Sequence, residues 1–285
     1  MLSLARYSEI ALKGKNRQIF ERQLVNNIKA FLKAKGLEGE VKRIQGRILS
    51  QTDFEVDLRP IFGIASFSSC VQVQAKLEDI SSAALKMAET HPKTTRFRIT
   101  THRSTKNFPL TSPQLNERIG SLIVQSTGMK VGLESPDLEI GIELIDALAY
   151  VFNKNIPCFG GLPVGIEGKV LALLSDEKSV LAALVMAKRG CAIEIASQAG
   201  FSEPDYSLLQ LFSPKHLNLH KVSQIDELDN LALGLGCKAI VVSDTLADLK
   251  EYPVNLPVLR PLIAFSEKEL LAEQKRYSSA FDDSF

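Results

Sequence analysis

Residues 168–190, GKVLALLSDEKSVLAALVMAKRG, contain the change of period that sets the architecture of the C-terminal half. An apolar run from Val170 to Leu174 stops at Ser175. After Ser179, apolar residues return at helical spacing as Val180, Leu184, Val185 and Ala187. The pattern predicts a buried strand turning tightly into a helix, whose first N–H groups face any anion placed beyond them. Turns that hold phosphate usually carry glycine, so that backbone can approach the ligand. This one has no glycine and carries two carboxylates, Asp176 and Glu177.

Outward from that unit, KVLALLS, AIEIAS, LNLHKVS, AIVVSD and PVLRPLI are strand candidates, with helical segments such as IDELDNLALGLG between several of them. Alternating strands and helices predict a parallel sheet covered on both faces, a Rossmann-like domain over residues 166–285. The Gly- and Pro-rich CFGGLPVGIEG before it is a linker or ordered inter-domain loop. At the other end, RYSEIALK alternates with period 2 and predicts a strand, followed by the basic turn GKNR. Phe20, Leu24, Ile28, Phe31 and Leu32 then share a helical face that Gly36 ends. With VKRIQGRILSQ as one or two strands, this order suits a ferredoxin-like module over 1–58.

A second module follows over 59–157. FSSCVQVQ reads as one strand, residues 78–90 as a helix, and RFRITTHR as a strand with one basic face. Ser112 and Pro113 are taken as N-cap and first position of a helix striped by Leu115, Ile119, Leu122 and Ile123. DLEIGIELI and ALAYVFNKNI supply further strands. The fold class is therefore a multidomain α/β and α+β protein.

Composition is that of an ordinary globular chain, 285 residues with 45% hydrophobic and 24% charged. No run approaches the roughly 20 apolar residues of a membrane helix, and Arg6 and Glu9 interrupt any signal-peptide core, so the cytoplasm is expected. The four cysteines, Cys70, Cys158, Cys191 and Cys237, show no CxxC pairing and the four histidines no metal spacing; no metal site is predicted. The net charge of +1 hides an asymmetry. Residues 1–50 hold eleven Lys/Arg against four Asp/Glu, residues 91–130 seven against one, and residues 201–285 eight against thirteen. Cations concentrated in the front modules suit an anionic partner, nucleic acid first.

Two basic stretches sharpen that expectation. Lys13, Lys15 and Arg17 surround Gly14 in a turn that opens a helix, a good phosphate contact. Arg96 and Arg98 emerge from one strand face, and His102, Arg103 and Lys106 follow with Phe108 at the loop's end, a pattern suited to an RNA backbone and an unstacked base. His102 has no neighbouring nucleophile, and no catalytic residue is assigned.

RYSEIALKGKNRQIFERQLVNNI, GRI, FGIASFS, THRSTKNFPLTSPQLNERIG, GGLPVGIEGKVLALLS, KRG and PVLRPLI occur in this order. Together they resemble the tRNA 4-thiouridine synthetases, or tRNA sulfurtransferases, over nearly the whole chain to about residue 266. The resemblance implies a ferredoxin-like domain, a THUMP RNA-binding domain and a PP-loop ATP-pyrophosphatase domain. It implies that residues 1–155 grip a tRNA acceptor end, with Arg47 of the GRI block joining the cations above. It also implies nucleotide contacts at Leu174, Ser175, Lys178 and Ser179.

The chain departs from that family at three places. The family's phosphate loop reads S-G-G-x-D-S; here it is S-D-E-K-S, without either glycine. A carboxylate about 4 Å from a phosphate charge costs about 4 kcal/mol at an effective dielectric near 20, a factor of several hundred in affinity. The family's glycine-bearing T-G-E-S-L-G-Q stretch is replaced by VVSDTLADLKE. No cysteine follows Cys237, where the family places a sulfur-carrying thiol. The expected function is a tRNA-binding THUMP protein without ATP-dependent thiolation of its own, partnered by tRNA and by a competent modification enzyme or sulfur donor. The alternative is an active sulfurtransferase using ATP, magnesium and an external sulfur donor. A small-molecule binder built on the α/β half leaves the front cations unexplained. Whether the protein is a homodimer is open at this stage.

Overall fold

The computed structural model describes residues 1–104, 107–200 and 204–279. In chain order the elements are β1 (Leu2–Arg6), α1 (Arg17–Ala34), β2 (Gly39–Ile44), β3 (Arg47–Thr52), β4 (Ser66–Ser69), β5 (Val71–Gln74), α2 (Leu77–Glu89) and β6 (Arg96–Arg103). There follow α3 (Ser112–Thr127), β7 (Lys130–Val131), β8 (Leu138–Ile145), β9 (Leu148–Phe152), β10 (Ile156–Pro157), β11 (Lys169–Leu173), α4 (Glu177–Lys188) and β12 (Ala192–Gln198). The last are α5 (Ser207–Phe212), β13 (Leu219–Val222), α6 (Glu227–Gly234), β14 (Ile240–Val241), β15 (Val258–Leu259) and α7 (Glu267–Ser279).

The chain divides into two compact units that cut across sequence order. The first holds Met1–Tyr7, Leu37–Asp57 and Ala65–Pro157; the second holds Ser8–Gly36, Leu58–Ile64 and the chain from Cys158 onward.

The first unit contains two five-stranded sheets. One is antiparallel, ordered β10-β4-β1-β3-β2, with β2 and β3 joined by a two-residue turn whose Gly46 takes φ 70°. A positive φ at that turn is the reason for glycine there. The other sheet is ordered β5-β9-β8-β6-β7 and mixed, β6 lying parallel to both β7 and β8. Phe97 and Ile99 of β6, Ile140 and Ile142 of β8, and the stripe Leu115, Ile119, Ile123 of α3 are buried in one apolar cluster with Ile80 and Ala84 of α2. α3 begins with a capping box: the Thr111 hydroxyl accepts from the Gln114 amide and the Gln114 side chain accepts from the Thr111 N–H.

Three local expectations change. RYSEIALK is a strand only to Arg6, and Glu9–Leu12 form a 3₁₀ turn. Period-2 alternation specifies a strand only where a ladder partner exists, and the pairing of β1 with β4 ends at Arg6–Ser66. FSSCVQVQ is two strands, β4 and β5, which diverge at Cys70 into different sheets. The cap of α3 is Thr111 rather than Ser112: Thr111 takes the extended backbone of a cap, φ −70° and ψ 162°, and forms the box with Gln114, while Ser112 is already helical.

The second unit is built on a wholly parallel sheet, ordered β13-β12-β11-β14-β15. Val170, Ala172 and Leu174 face α4 in one cluster; Leu171 and Leu173 face α6 in another, with Leu228 and Ala232. Burial on both faces is why the run reads as continuously apolar rather than alternating. Phe62, Phe159, Phe212 and Tyr277 form an aromatic knot, with Phe62 stacked on Phe212 and Phe159 on Tyr277 at 4.7 Å each, and Phe159 edge-on to Phe212 at 5.0 Å. It fastens residues 58–64 and the linker to α5 and α7. Helix α1 is tied to the same linker, since Gln23 and Asn27 both donate to the Val164 carbonyl at 3.0 Å.

Candidate functional site

In the second unit, strand order reverses at β11, between β12 and β14, and a ligand crevice in such a sheet lies outside the carboxyl ends of those strands. There β11 runs into α4 through Leu174–Asp176. Leu174 is buried and its N–H donates to the Ala196 carbonyl at 2.7 Å, while Ser175 is exposed. The N-cap of α4 is Asp176: its Oδ1 accepts from the Ser179 N–H at 2.8 Å and its Oδ2 from the Ser243 hydroxyl at 3.0 Å. The Ser179 hydroxyl is turned inward, buried, and donates to the Asp176 carbonyl. The amide that an anion would engage therefore already holds a carboxylate of the chain itself.

The cations beside it are engaged as well. Lys178 pairs with Asp248, whose Oδ1 also accepts from the Thr245 N–H and hydroxyl at 2.6 Å each. The Lys178 bond holds the Asp248 carboxyl well below the usual carboxylate range and raises the Lys178 ammonium. Buried Asp244 accepts from the Tyr252 hydroxyl at 2.7 Å, the Lys250 N–H at 3.1 Å and Arg260 Nε at 3.2 Å. A cleft of about 630 Å³ opens beside α4, with Ser175, Asp176, Glu177 and Asp205 among its polar walls and Val180, Leu181 and Leu208 among its apolar ones. No Lys, Arg or His lines it among the described residues. A triphosphate entering it would meet carboxylates unaccompanied by a free cation, and the residues present do not fit that group.

The basic residues expected to meet RNA divide between the two units. In the second, Lys13 lies over the Phe20 ring at 4.7 Å, Lys15 is exposed, and Arg17 pairs with Glu21 at 3.3 Å. In the first, Arg96 pairs with Asp137 at 3.6 Å, and Arg98 donates to Glu139 at 2.7 Å and to the Leu133 carbonyl at 3.2 Å. Arg103 donates to the Leu110 carbonyl, His102 is exposed, and Phe108 packs against the α2–α3 core. Lys106 lies outside the described residues. Arg47 is half-buried, its Nε 2.8 Å from Glu143 Oε2.

Glu143 and Arg6 escaped the reading of the sequence as site residues, which took Arg47 only as an RNA contact. This buried carboxylate, 3% exposed, also accepts from Arg6 Nε at Oε1, so two arginines of the antiparallel sheet clamp one carboxylate of the mixed sheet. Arg6 further donates to Ser68 and Asn155 at 3.0 Å and lies over the Phe152 ring at 4.6 Å. Together with His102, Thr100 and Lys154 they line a pocket of about 300 Å³. The signal was a lone acid within the apolar run IGIELI of β8. Likewise the Asp three residues before Ser179 signalled a cap.

No group of three His, Cys, Asp or Glu suited to a metal occurs among the described residues. Burial pushes the Cys70 thiol up to about 12, the Cys237 thiol to about 11, and the Cys191 thiol above its ordinary value. None of these three is an activated thiolate. No described helix is long and apolar enough to cross a membrane.

Residues 2–68 match the ThiI ferredoxin-like domain and residues 74–153 the THUMP domain. The "Probable tRNA sulfurtransferase" of Thermococcus kodakarensis is 31% identical over 96% of this chain and 86% of its own length. That of Mycoplasmopsis synoviae is 40% identical over 67% of this chain and 50% of its own. Among solved structures, PH1313 from Pyrococcus horikoshii Ot3 superposes with a TM-score of 0.86 at 30% identity, covering 97% of this chain and 99% of that one. A 4-thiouridine synthetase–RNA complex with bound ATP superposes with a TM-score of 0.78 at 26% identity, covering 99% of this chain and 86% of that one. Ferredoxin-like and THUMP modules followed by a parallel-sheet domain, with a relative 31% identical over 96% of the chain, make this chain a member of the tRNA sulfurtransferase family.

Proposed function

We propose that this protein binds tRNA through its basic front modules, residues 1–58 and 59–157, and that its third domain, residues 166–285, does not carry out ATP-dependent thiolation. One observation carries the second half: the Asp176 carboxylate occupies the Ser179 amide at the start of α4, with Lys178 drawn to Asp248. Three supports favour RNA: the matched THUMP domain, the RNA bound in the 26%-identical relative, and the excess of cations in residues 1–50 and 91–130. Lys13, Lys15, Arg17, Arg47, Arg96, Arg98, His102, Arg103, Lys106 and Phe108 are the proposed contacts. A competent modification enzyme or a sulfur donor is the proposed protein partner, the cytoplasm the proposed location, and pairing of two copies a further proposal.

The ATP bound in that same relative favours the second reading, an active sulfurtransferase with magnesium and an external sulfur source, using Leu174, Ser175, Lys178 and Ser179. Calorimetric titration with Mg-ATP, with and without tRNA, separates the two. The first reading expects no saturable heat and no thiouridine after incubation with tRNA, ATP and sulfide. Saturable ATP binding or thiouridine formation overturns it. For RNA, Arg98→Ala with Arg103→Ala is expected to weaken tRNA binding and to flatten the salt dependence by up to about two phosphate contacts. Unchanged affinity and slope would remove those two residues from the interface.

A further inference from the structure

The pocket of about 300 Å³ over the Glu143 clamp lies wholly within the first unit. β6 and β8 run parallel there, with Thr100 opposite Gly141 and His102 opposite Glu143. Gly141 has no side chain; the Phe152 ring fills that space and carries the Arg6 guanidinium at 4.6 Å. Past Phe152 the chain continues through Asn153, Lys154 and Asn155, which also line the pocket.

Charge in this pocket is not balanced. Arg6 and Arg47 share the single carboxylate of Glu143, and exposed Lys154 has no ion-pair partner among the described residues. Glu139, the other acid in the lining, is held by Arg98 and Thr100. Three cations therefore face one unmatched carboxylate, an excess of two positive charges. Both guanidinium side chains reach solvent, Arg6 being 14% exposed and Arg47 24%. His102 and Asn155 are exposed as well and add ring and amide N–H donors.

We propose that this pocket binds a terminal phosphate monoester, with Lys154 and His102 meeting its oxygens above the Arg6–Arg47 pair. A monoester carries close to two negative charges at neutral pH and three acceptor oxygens, which matches an excess of two cations and several donors. A phosphodiester inside a nucleic-acid strand carries one charge, and so does a carboxylate; either leaves one cation unanswered. Planar guanidinium groups suit phosphate oxygens, and the flexible lysine supplies a point charge. The volume is at the lower end for small-molecule sites, enough for a phosphate and the sugar that bears it. The phosphate comes either from the 5′ end of an RNA strand, in which case the inference rests on the RNA-binding reading above, or from a free nucleotide.

Two matched pairs of probes test this on the full chain at fixed salt. One pair is a single-stranded RNA 12-mer with a 5′ phosphate and the same strand with a 5′ hydroxyl, read by fluorescence anisotropy. The other is adenosine 5′-monophosphate and adenosine, read by calorimetry. In at least one pair the phosphorylated probe is expected to bind about tenfold tighter or better. That advantage should fall below about threefold in Lys154→Glu and persist in Lys86→Glu, a charge reversal on the exposed face of α2 that controls for net charge. An advantage confined to the RNA pair assigns the pocket to a strand end, and one in the nucleotide pair admits a free nucleotide. No advantage in the parent for either pair overturns the inference. So does an advantage that survives Lys154→Glu, or one lost equally in Lys86→Glu. Should Lys154→Glu melt lower than the parent, the same loss is required of Lys154→Ala. RNA bound equally with and without its 5′ phosphate, and no preference for the nucleotide, would sink the pocket and leave the RNA reading standing. A preference for the nucleotide that depends on Lys154, without binding of either RNA, would do the reverse.

Discussion

Asp176 shows how one side chain can cap a helix and tie its first turn to a distant segment. Its carboxylate meets the Ser179 amide and the Ser243 hydroxyl, so it joins the start of α4 to the segment after β14. Asp176→Ala should cost about 1 kcal/mol of stability as a lost cap, read as a lower urea midpoint, whereas Asp176→Ser should restore most of it. Asp176→Gly with Glu177→Gly should still give no thiouridine, since emptying the turn does not create an activated thiol; turnover in that variant would show that the turn alone had been limiting. Asp248 makes the local stability depend on acidity. Its folded pKa is depressed, first by Lys178 and then by Thr245, so its contribution is complete above the unfolded carboxylate value near 4 and is lost as pH falls through the folded one. Thermal melts from pH 7 to pH 3 should show Asp248→Asn less stable than the parent at neutrality, the gap closing below about pH 4. The chemistry of Asp176 was readable from its place before a helical period. Its partner Ser243, 67 residues away, was not, because nothing local to either residue encodes that distance.

At the scale of elements, the aromatic knot and the glycine on β8 hold the parts in place. Phe159 is 8% exposed and touches Phe62, Phe212 and Tyr277. Phe159→Ala should destabilise the second unit by about 3–5 kcal/mol, measured by urea unfolding, while helix content stays that of the parent in water. Gly141 lies against the Phe152 ring, and an added Cβ would fall 2.2 Å from its edge. Gly141→Ala must therefore displace Phe152, and with it the surface under Arg6; a melting temperature equal to the parent's would show that the ring moves freely. Strongly periodic elements such as α1, α2, α3 and the β11–α4 unit were predictable because their apolar spacing is set locally. The ends of β1 and the division of β4 from β5 were not, because a strand ends where its neighbour does.

For the molecule as a whole, charge is arranged at two levels. Cations in the front of the chain outnumber acids, yet many of them are engaged: Arg6 and Arg47 on Glu143, Arg98 on Glu139, Arg96 on Asp137. The Glu143 clamp spans two sheets of one unit, and Glu143→Gln should cost about 3 kcal/mol, since both arginines lose a buried counter-charge; Arg47→Lys should cost less. Equal melting temperatures for Glu143→Gln and the parent would show that the clamp adds nothing. Sequence by itself determined the order of modules, the parallel sheet, the excess of positive charge at the front and the missing glycines at Ser175–Ser179, because each is a property of spacing or composition. Tertiary structure alone decided which cations are already partnered, that Asp176 also reaches Ser243, and that β6 has an edge left uncovered beyond β7. Those outcomes depend on residues brought together from distant parts of the chain, and pairing free energies act only once the fold has paid the entropy of bringing them there.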